Sequence, residues 1–313
     1  MHRSGTSILA RMAHELIGVG LGNQLLQADK WNADGYWEDT RILDAHEKIL
    51  RLIGREVMSP DATRPYPAEW WRAADLRFLK CQLADTVREE LDRHHGLWGF
   101  KDPRTARLLP LWRDIFTELD VTPRYLLTVR DPRAVSASLA RRNGFSAARS
   151  QLQWLFHYLD AVHYTGGRLS LVADYDRWFS DPQGQAHALI RACRAIHASQ
   201  DSLDLPEALT TIQRIVKRRL RHHDSRQTEI ALPFIEKGHT LLTHAARTGH
   251  IPAALCTLEA QARAAHESLH ARVQQLDADT LAERCRRFLA DRRHLRRELE
   301  SIPQFARLMG GAE

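Results

Sequence analysis

Six residues near the amino end, His2-Arg3-Ser4-Gly5-Thr6-Ser7, have the composition of an anion-binding loop, and an amphipathic stretch follows them at once. In such a loop main-chain N–H groups and the helix dipole face the anion. Gly5 would let the backbone approach closely, and the hydroxyls would add donors beside the Arg3 cation. The same residues also suit an ordinary helix cap, and the hexamer alone does not separate the two readings. It is not a Walker A loop, which needs GxxxxGK[ST]; no Gly stands four positions earlier and there is no Lys. Three further stretches combine charge with turn residues: Gly35-Tyr36-Trp37-Glu38-Asp39, Lys101-Asp102-Pro103-Arg104, and RDPRAVSASLARR over 130–142. Each also has a plainer reading. Glu38 would favour the dipole of a helix starting near residue 40, Arg130 would sit in a surface salt bridge, and Ser138 would pack between helices.

The elements that must position these residues are legible as alternating periods. Ile8, Leu9, Met12, Leu16 and Ile17 fall on one helical face, as do Ile42, Leu43, Ile49, Leu50 and Ile53, then Leu76, Leu79, Leu83, Val87 and Leu91. Between these helices stand three short strand candidates, 97–101, 124–129 and 169–173. Two of them run into Asp-Pro pairs, Asp102-Pro103 and Asp131-Pro132, where Asp suits the N-cap and Pro the first helical position. Strands alternating with helices predict an α/β fold with a parallel sheet covered on both faces, and ligands in such sheets bind at the carboxyl edge. After about residue 206 the strand signals stop. Helices are expected over 207–222 and 233–248. A heptad-like seam follows over 255–276, about three heptads and the lower limit for a coiled coil. Thr280 and Glu283 make a capping box for a further helix.

In order, spacing and strand placement, the loop and the three stretches resemble the sulfotransferase family that uses 3′-phosphoadenosine 5′-phosphosulfate (PAPS) as donor, bacterial carbohydrate-type members most closely. The likeness spans residues 1 to about 182, ending with Asp174-Tyr175 and Asp181-Pro182. It implies a three-layer P-loop-like core over 1–206 with an all-helical region over 207–313. It also implies that Arg3, Ser4, Gly5, Thr6 and Ser7 bind the 5′-phosphosulfate, with Arg3 where many members have Lys. Arg130 and Ser138 would bind the 3′-phosphate. Glu38 would be the catalytic base, its pKa raised by burial beside Tyr36 and Trp37. Lys101 and Arg104 would stabilise the sulfuryl oxygens or hold an acidic acceptor, or else be ion-paired, including with Asp102; Trp37, with Trp31, Trp70 and Trp71, would stack on an acceptor sugar or else pack in the core or at its rim. His14 and His46 are rival bases, and both equally suit ordinary helix faces. Sulfuryl transfer asks for positioning and charge stabilisation, and the transferred group carries less charge than a phosphoryl, so no metal is expected. The acceptor would be a hydroxyl or amine, on a glycan for instance. The rivals are a nucleotide kinase with a degenerate phosphate loop and an inactive binding protein with a basic helical tail.

Composition bounds these readings. The chain has 313 residues and a formal charge of +6, with 43% hydrophobic and 27% charged residues, which excludes a disordered or fibrous chain. No apolar run approaches the roughly 20 residues that a bilayer needs. There is no secretory signal pattern, and Cys81, Cys193, Cys256 and Cys285 are scattered without a CxxC pair. A cytoplasmic protein is therefore expected, without a transmembrane span. The pI of about 9.3 fits small anionic ligands, and a nucleic-acid partner is not expected. The run Lys217-Arg218-Arg219-Leu220-Arg221-His222-His223 either reaches donor phosphates or is a solvated helix face. The 255–276 seam would pair two chains if exposed, or fold back to leave a monomer. Finally, an anion loop of this kind follows the first strand of its sheet. Met1-His2-Arg3 already lies in the loop, so a start upstream, encoding a short apolar strand, is expected.

Overall fold

Gly5 opens the first helix from a left-handed conformation (φ 87°), and α1 (Thr6–Ile17) follows it directly. The computed structural model describes residues 1–63, 66–194, 205–216, 229–230 and 233–264. Helix α1 buries Leu9, Met12, Leu16 and Ile17, most of the face that the spacing predicts. Gly18, also left-handed, ends it by donating its N–H to the His14 carbonyl. Asp39 caps α2 (Thr40–Leu52) by accepting the Arg41 N–H at 2.9 Å, a contact of a type that contributes about 1 kcal/mol. With α3 (Arg77–Arg93) and α4 (Thr105–Glu118), α2 forms one core around Ile49, Leu83, Leu111, Trp112 and Ile115.

Two strands pair in parallel, β1 (Tyr125–Val129) and β2 (Leu169–Asp174), with Val129 opposite Asp174. The crossover between them is α5 (Pro132–Asn143) and α6 (Ala147–Tyr164). Asp131 caps α5 as expected, accepting the Arg133 N–H at 2.7 Å with Pro132 in the first turn. At Asp102 the expected helix or turn is a turn. Asp102 accepts the Arg104 N–H at 2.8 Å in a turn, and α4 begins only at Thr105.

The strand expected over 97–101 is corrected. It makes a single bridge, Trp98 to Gly20, through the Leu97 carbonyl and the Gly99 N–H. Its opposite edge faces a cavity, so no ladder extends from it. Among the described residues the sheet therefore has two strands, in a mixed α/β protein that is mostly helical.

Helices α7 (Arg177–Ser180), α8 (Pro182–Arg194), α9 (Leu205–Ile215) and α10 (Pro233–Thr248) complete the labelled elements. A second core joins α1, β2, α8 and α9 around Met12, Ala173, Leu189 and Ile212. Helix α10 packs on β2 and α6 and has the bounds expected for the 233–248 helix. A compact unit runs Met1–Glu259 and takes in α9 and α10. Of the second unit, Ala260–Glu313, residues 260–264 are described and helical. Leu255 and Leu258, the first two positions of the expected seam, are buried. Positions 265–276, the Thr280 helix and the run Lys217–His223 lie outside the described residues. Among those described, no helix is long and apolar enough to cross a membrane.

Candidate functional site

The carboxyl end of β1 and the loop before α1 meet through the main chain. Thr128 donates its hydroxyl to the Ser4 carbonyl at 3.1 Å, and Arg130 donates Nη1 to the Arg3 carbonyl at 2.9 Å. Helix α5 carries Ser138 to the same place, and the Arg3 Nε donates to its Oγ at 2.8 Å. Arg3, Arg130 and Ser138, distant in sequence, therefore form one cluster at the first turn of α1. Ser4, Arg130 and Ser138 are buried within it. Arg3 is held at φ 62°, with its Nη1 on the Trp31 carbonyl at 3.1 Å.

Tyr175, just after β2, completes the floor. Its ring lies 4.2 Å beneath the Arg130 guanidinium, and a Cβ on Gly5 would come 2.3 Å from its Cδ2. Glycine at position 5 is thus required twice, by backbone angle and by the aromatic ring against it. Sequence reasoning did not assign Tyr175 a role; its place at a strand's carboxyl end was the available signal.

The electrostatics of this cluster are one-sided. Arg142, at the end of α5, lies over the Tyr36 ring at 5.7 Å and adds a third guanidinium near Arg3. Burial, then Arg142 and Arg130, push the Arg3 pKa below its ordinary value. No ion pair to a carboxylate is found for Arg3, Arg130 or Arg142 among the described residues. Nearby, Tyr36 donates to Asp29 at 2.8 Å, and burial with this bond pushes the phenol up to about 12.

A second group forms on the other side of α1's first turn. Lys101 donates Nζ to Glu38 at 2.5 Å, to the Tyr36 carbonyl at 3.0 Å and to Ser7 Oγ at 3.3 Å. Asn32 also reaches Ser7 Oγ, at 3.3 Å. Glu38 is only 5% exposed. Burial raises its pKa, and the Lys101 ammonium pulls in the opposite direction. Glu38, Lys101 and Ser7 are thus brought together, with Glu38 ion-paired.

The rival bases stand differently. His46 Nε2 accepts from Trp112 Nε1 at 2.8 Å, so the ring proton is on Nδ1, 2.8 Å from Asp102 Oδ2. Both nitrogens are engaged in the core, and His46 has no lone pair to offer a substrate. Asp102 is held well below the carboxylate range: burial opposes its charge, but His46 and Arg104 outweigh that. Arg104 runs on from Asp102 to Glu47 at 2.8 Å and lines a cavity of about 320 Å³ with His2, Leu139, Arg142 and Phe145. His14 is exposed, its Nδ1 2.8 Å from the Val19 carbonyl. Trp37 lies against His14 (5.8 Å between ring centroids) and Arg11, so it does not line the cavity that Arg104 lines. Trp70 is buried in the α2–α4 core beside Trp71. Among the described residues no three His, Cys, Asp or Glu side chains are grouped to hold a metal ion.

No protein-family model matches the chain, and neither do the curated proteins or the solved structures.

Proposed function

We propose that the chain is a sulfotransferase moving the sulfuryl group of PAPS to a hydroxyl or amine acceptor. One observation carries this reading: Arg3 lies beside both Arg130 and Arg142 at the first turn of a helix and the end of a parallel strand. None of the three has an ion pair to a carboxylate among the described residues, the Asp29 carboxylate near Arg142 being bonded to Tyr36. Mutually repelling cations at a helix amino end, Arg130 buried and Arg3 and Arg142 partly so, are stabilised by an anion with several charges, which a bisphosphorylated nucleotide supplies. In this reading Arg130 and Ser138 take the 3′-phosphate. The loop Arg3 to Ser7 takes the phosphosulfate. The two-stranded sheet would belong to the three-layer parallel arrangement that such donors use.

Lys101 and Glu38 sit where transfer would be assisted. The acceptor oxygen or nitrogen forms a bond to sulfur as the bond from sulfur to the phosphate oxygen breaks. Glu38 takes the acceptor's proton, and the Lys101 ammonium turns to the sulfuryl oxygens as its ion pair loosens. Calorimetry tests the reading directly. Adenosine 3′,5′-bisphosphate should bind tightly with or without Mg²⁺. Preference for ATP with Mg²⁺ would indicate a kinase, and binding of neither nucleotide would overturn the proposal.

A further inference from the structure

Residues 101–104 hold their place without a strand ladder. The residues before them make one bridge to Gly20, α4 begins only at Thr105, and Pro103 has no N–H to give. One side chain ties the turn together. Asp102 Oδ1 accepts from the Arg104 N–H at 2.8 Å and from Arg104 Nη1 at 3.1 Å. Its Oδ2 stands 2.8 Å from His46 Nδ1, and Trp112 Nε1 donates to His46 Nε2 at 2.8 Å. An indole N–H only donates, so Nε2 must accept and Nδ1 must carry the hydrogen that Asp102 receives. His46 and Trp112 are fully buried, and Asp102 is nearly so. Helix α2, the turn and α4 thus give one residue each to an unbroken run of donors and acceptors.

Stability alone does not ask for such a run. Burying an ionised carboxylate is unfavourable, and apolar residues of like volume in its place are often as stable or more so. An apolar core would leave unfixed the two cations that flank Asp102 and serve different places. Lys101, on one side, donates to Glu38, the Tyr36 carbonyl and Ser7. Arg104, on the other, reaches Glu47 at 2.8 Å and lines the cavity of about 320 Å³. The His2 ring and the Met1 amine also lie in the field of Asp102, whose oxygens are bonded to His46 and Arg104. One fixed carboxylate therefore sets the direction of both neighbouring cations.

We propose that Trp112, His46 and Asp102 are positioning residues for sulfuryl transfer. Trp112 and His46 hold the Asp102 carboxylate in one orientation, and that carboxylate sets the turn that presents Lys101 to Glu38 and Arg104 to the cavity. This role rests on the sulfotransferase reading, and none of the three side chains touches the reacting atoms.

The test uses the full chain with PAPS alone, water serving as the acceptor. The water oxygen bonds to sulfur as the bond from sulfur to the phosphate oxygen breaks. One water proton passes to Glu38, and hydrogen sulfate and adenosine 3′,5′-bisphosphate leave. His46→Leu should slow this release by about tenfold to a hundredfold while bisphosphate affinity stays within about twofold of wild type. His46→Gln should restore most of the rate, because its amide can donate to Asp102 and accept from Trp112. Trp112→Phe keeps an aromatic ring and removes the N–H. Nitrogen NMR should then find the His46 proton on either ring nitrogen, where the wild type carries it on Nδ1. A wild-type His46 with its proton on Nε2 would overturn the proposal. So would wild-type release by His46→Leu, a His46→Gln variant as slow as His46→Leu, or bisphosphate binding lost in step with the rate. A wild-type chain that binds no bisphosphate would overturn the sulfotransferase reading first, and this role with it.

Discussion

Lys101 connects the two candidate catalytic groups to the loop, because one ammonium reaches Glu38, the Tyr36 carbonyl and Ser7. Burial raises the Glu38 pKa and Lys101 restrains that rise. Lys101→Met removes the restraint, so Glu38 should stay protonated to higher pH. The acid limb of kcat/KM should then move up relative to wild type; an unmoved limb would show that Glu38 is not the titrating base. Glu38→Gln should cut turnover by about 10²–10⁴ while leaving bisphosphate binding nearly intact. Arg130→Ala should do the reverse. It removes a charge-assisted contact worth about 1.5–3 kcal/mol, which calorimetry reads as weaker bisphosphate binding.

Among the elements, the first turn of α1 is the most constrained. Gly5→Ala meets both a left-handed φ of 87° and the Tyr175 ring 2.3 Å away, whereas Gly144→Ala meets only φ 69° with open space around it. Each left-handed alanine costs about 1 kcal/mol or more. Urea melts should therefore show Gly5→Ala losing clearly more stability than Gly144→Ala, and equal losses would mean that Tyr175 moves aside freely. What was legible in the sequence at this scale was local. The apolar spacing of α1 and α10 and the Asp131-Pro132 cap are set by neighbouring residues, and the structure has them. The 97–101 strand was misread because pairing depends on what lies alongside, which its own five residues cannot encode. The meeting of Glu38 with Lys101 across 63 positions, and the capture of His46 by Trp112 across 66, were likewise invisible to spacing. Arg130 and Ser138 could be found because two helical turns join them, but the Tyr175 ring beneath Arg130 comes from another strand.

At the scale of the molecule, acid should act in two stages. His157 is buried, with Nδ1 2.6 Å from the Gln153 carbonyl, and its ring centroid is 6.4 Å from that of His2. Burial, followed by neighbouring positive charge including Arg107, holds the His157 pKa well below 6.5; burial and then Arg104 do the same for His2. Both stay neutral in the native state, while the unfolded chain binds a proton on each below about pH 6.5. Unfolding therefore takes up protons, and stability falls as pH drops through 6.5, by at most about 1.4 kcal/mol per pH unit for His157. Asp102 acts later and with the same sign. Its native pKa is depressed, so its contribution is full above the ordinary carboxylate range and is lost as pH falls below about 4. Melting temperatures between pH 7.5 and 5.0 should decline well before Asp102 titrates. His157→Gln should flatten that first decline, whatever it costs at pH 7.5, because glutamine takes up no proton. A decline of undiminished slope in the variant would remove His157 from the account and leave the first stage to His2 and the buried Met1 amine, whose pKa burial lowers to about 5.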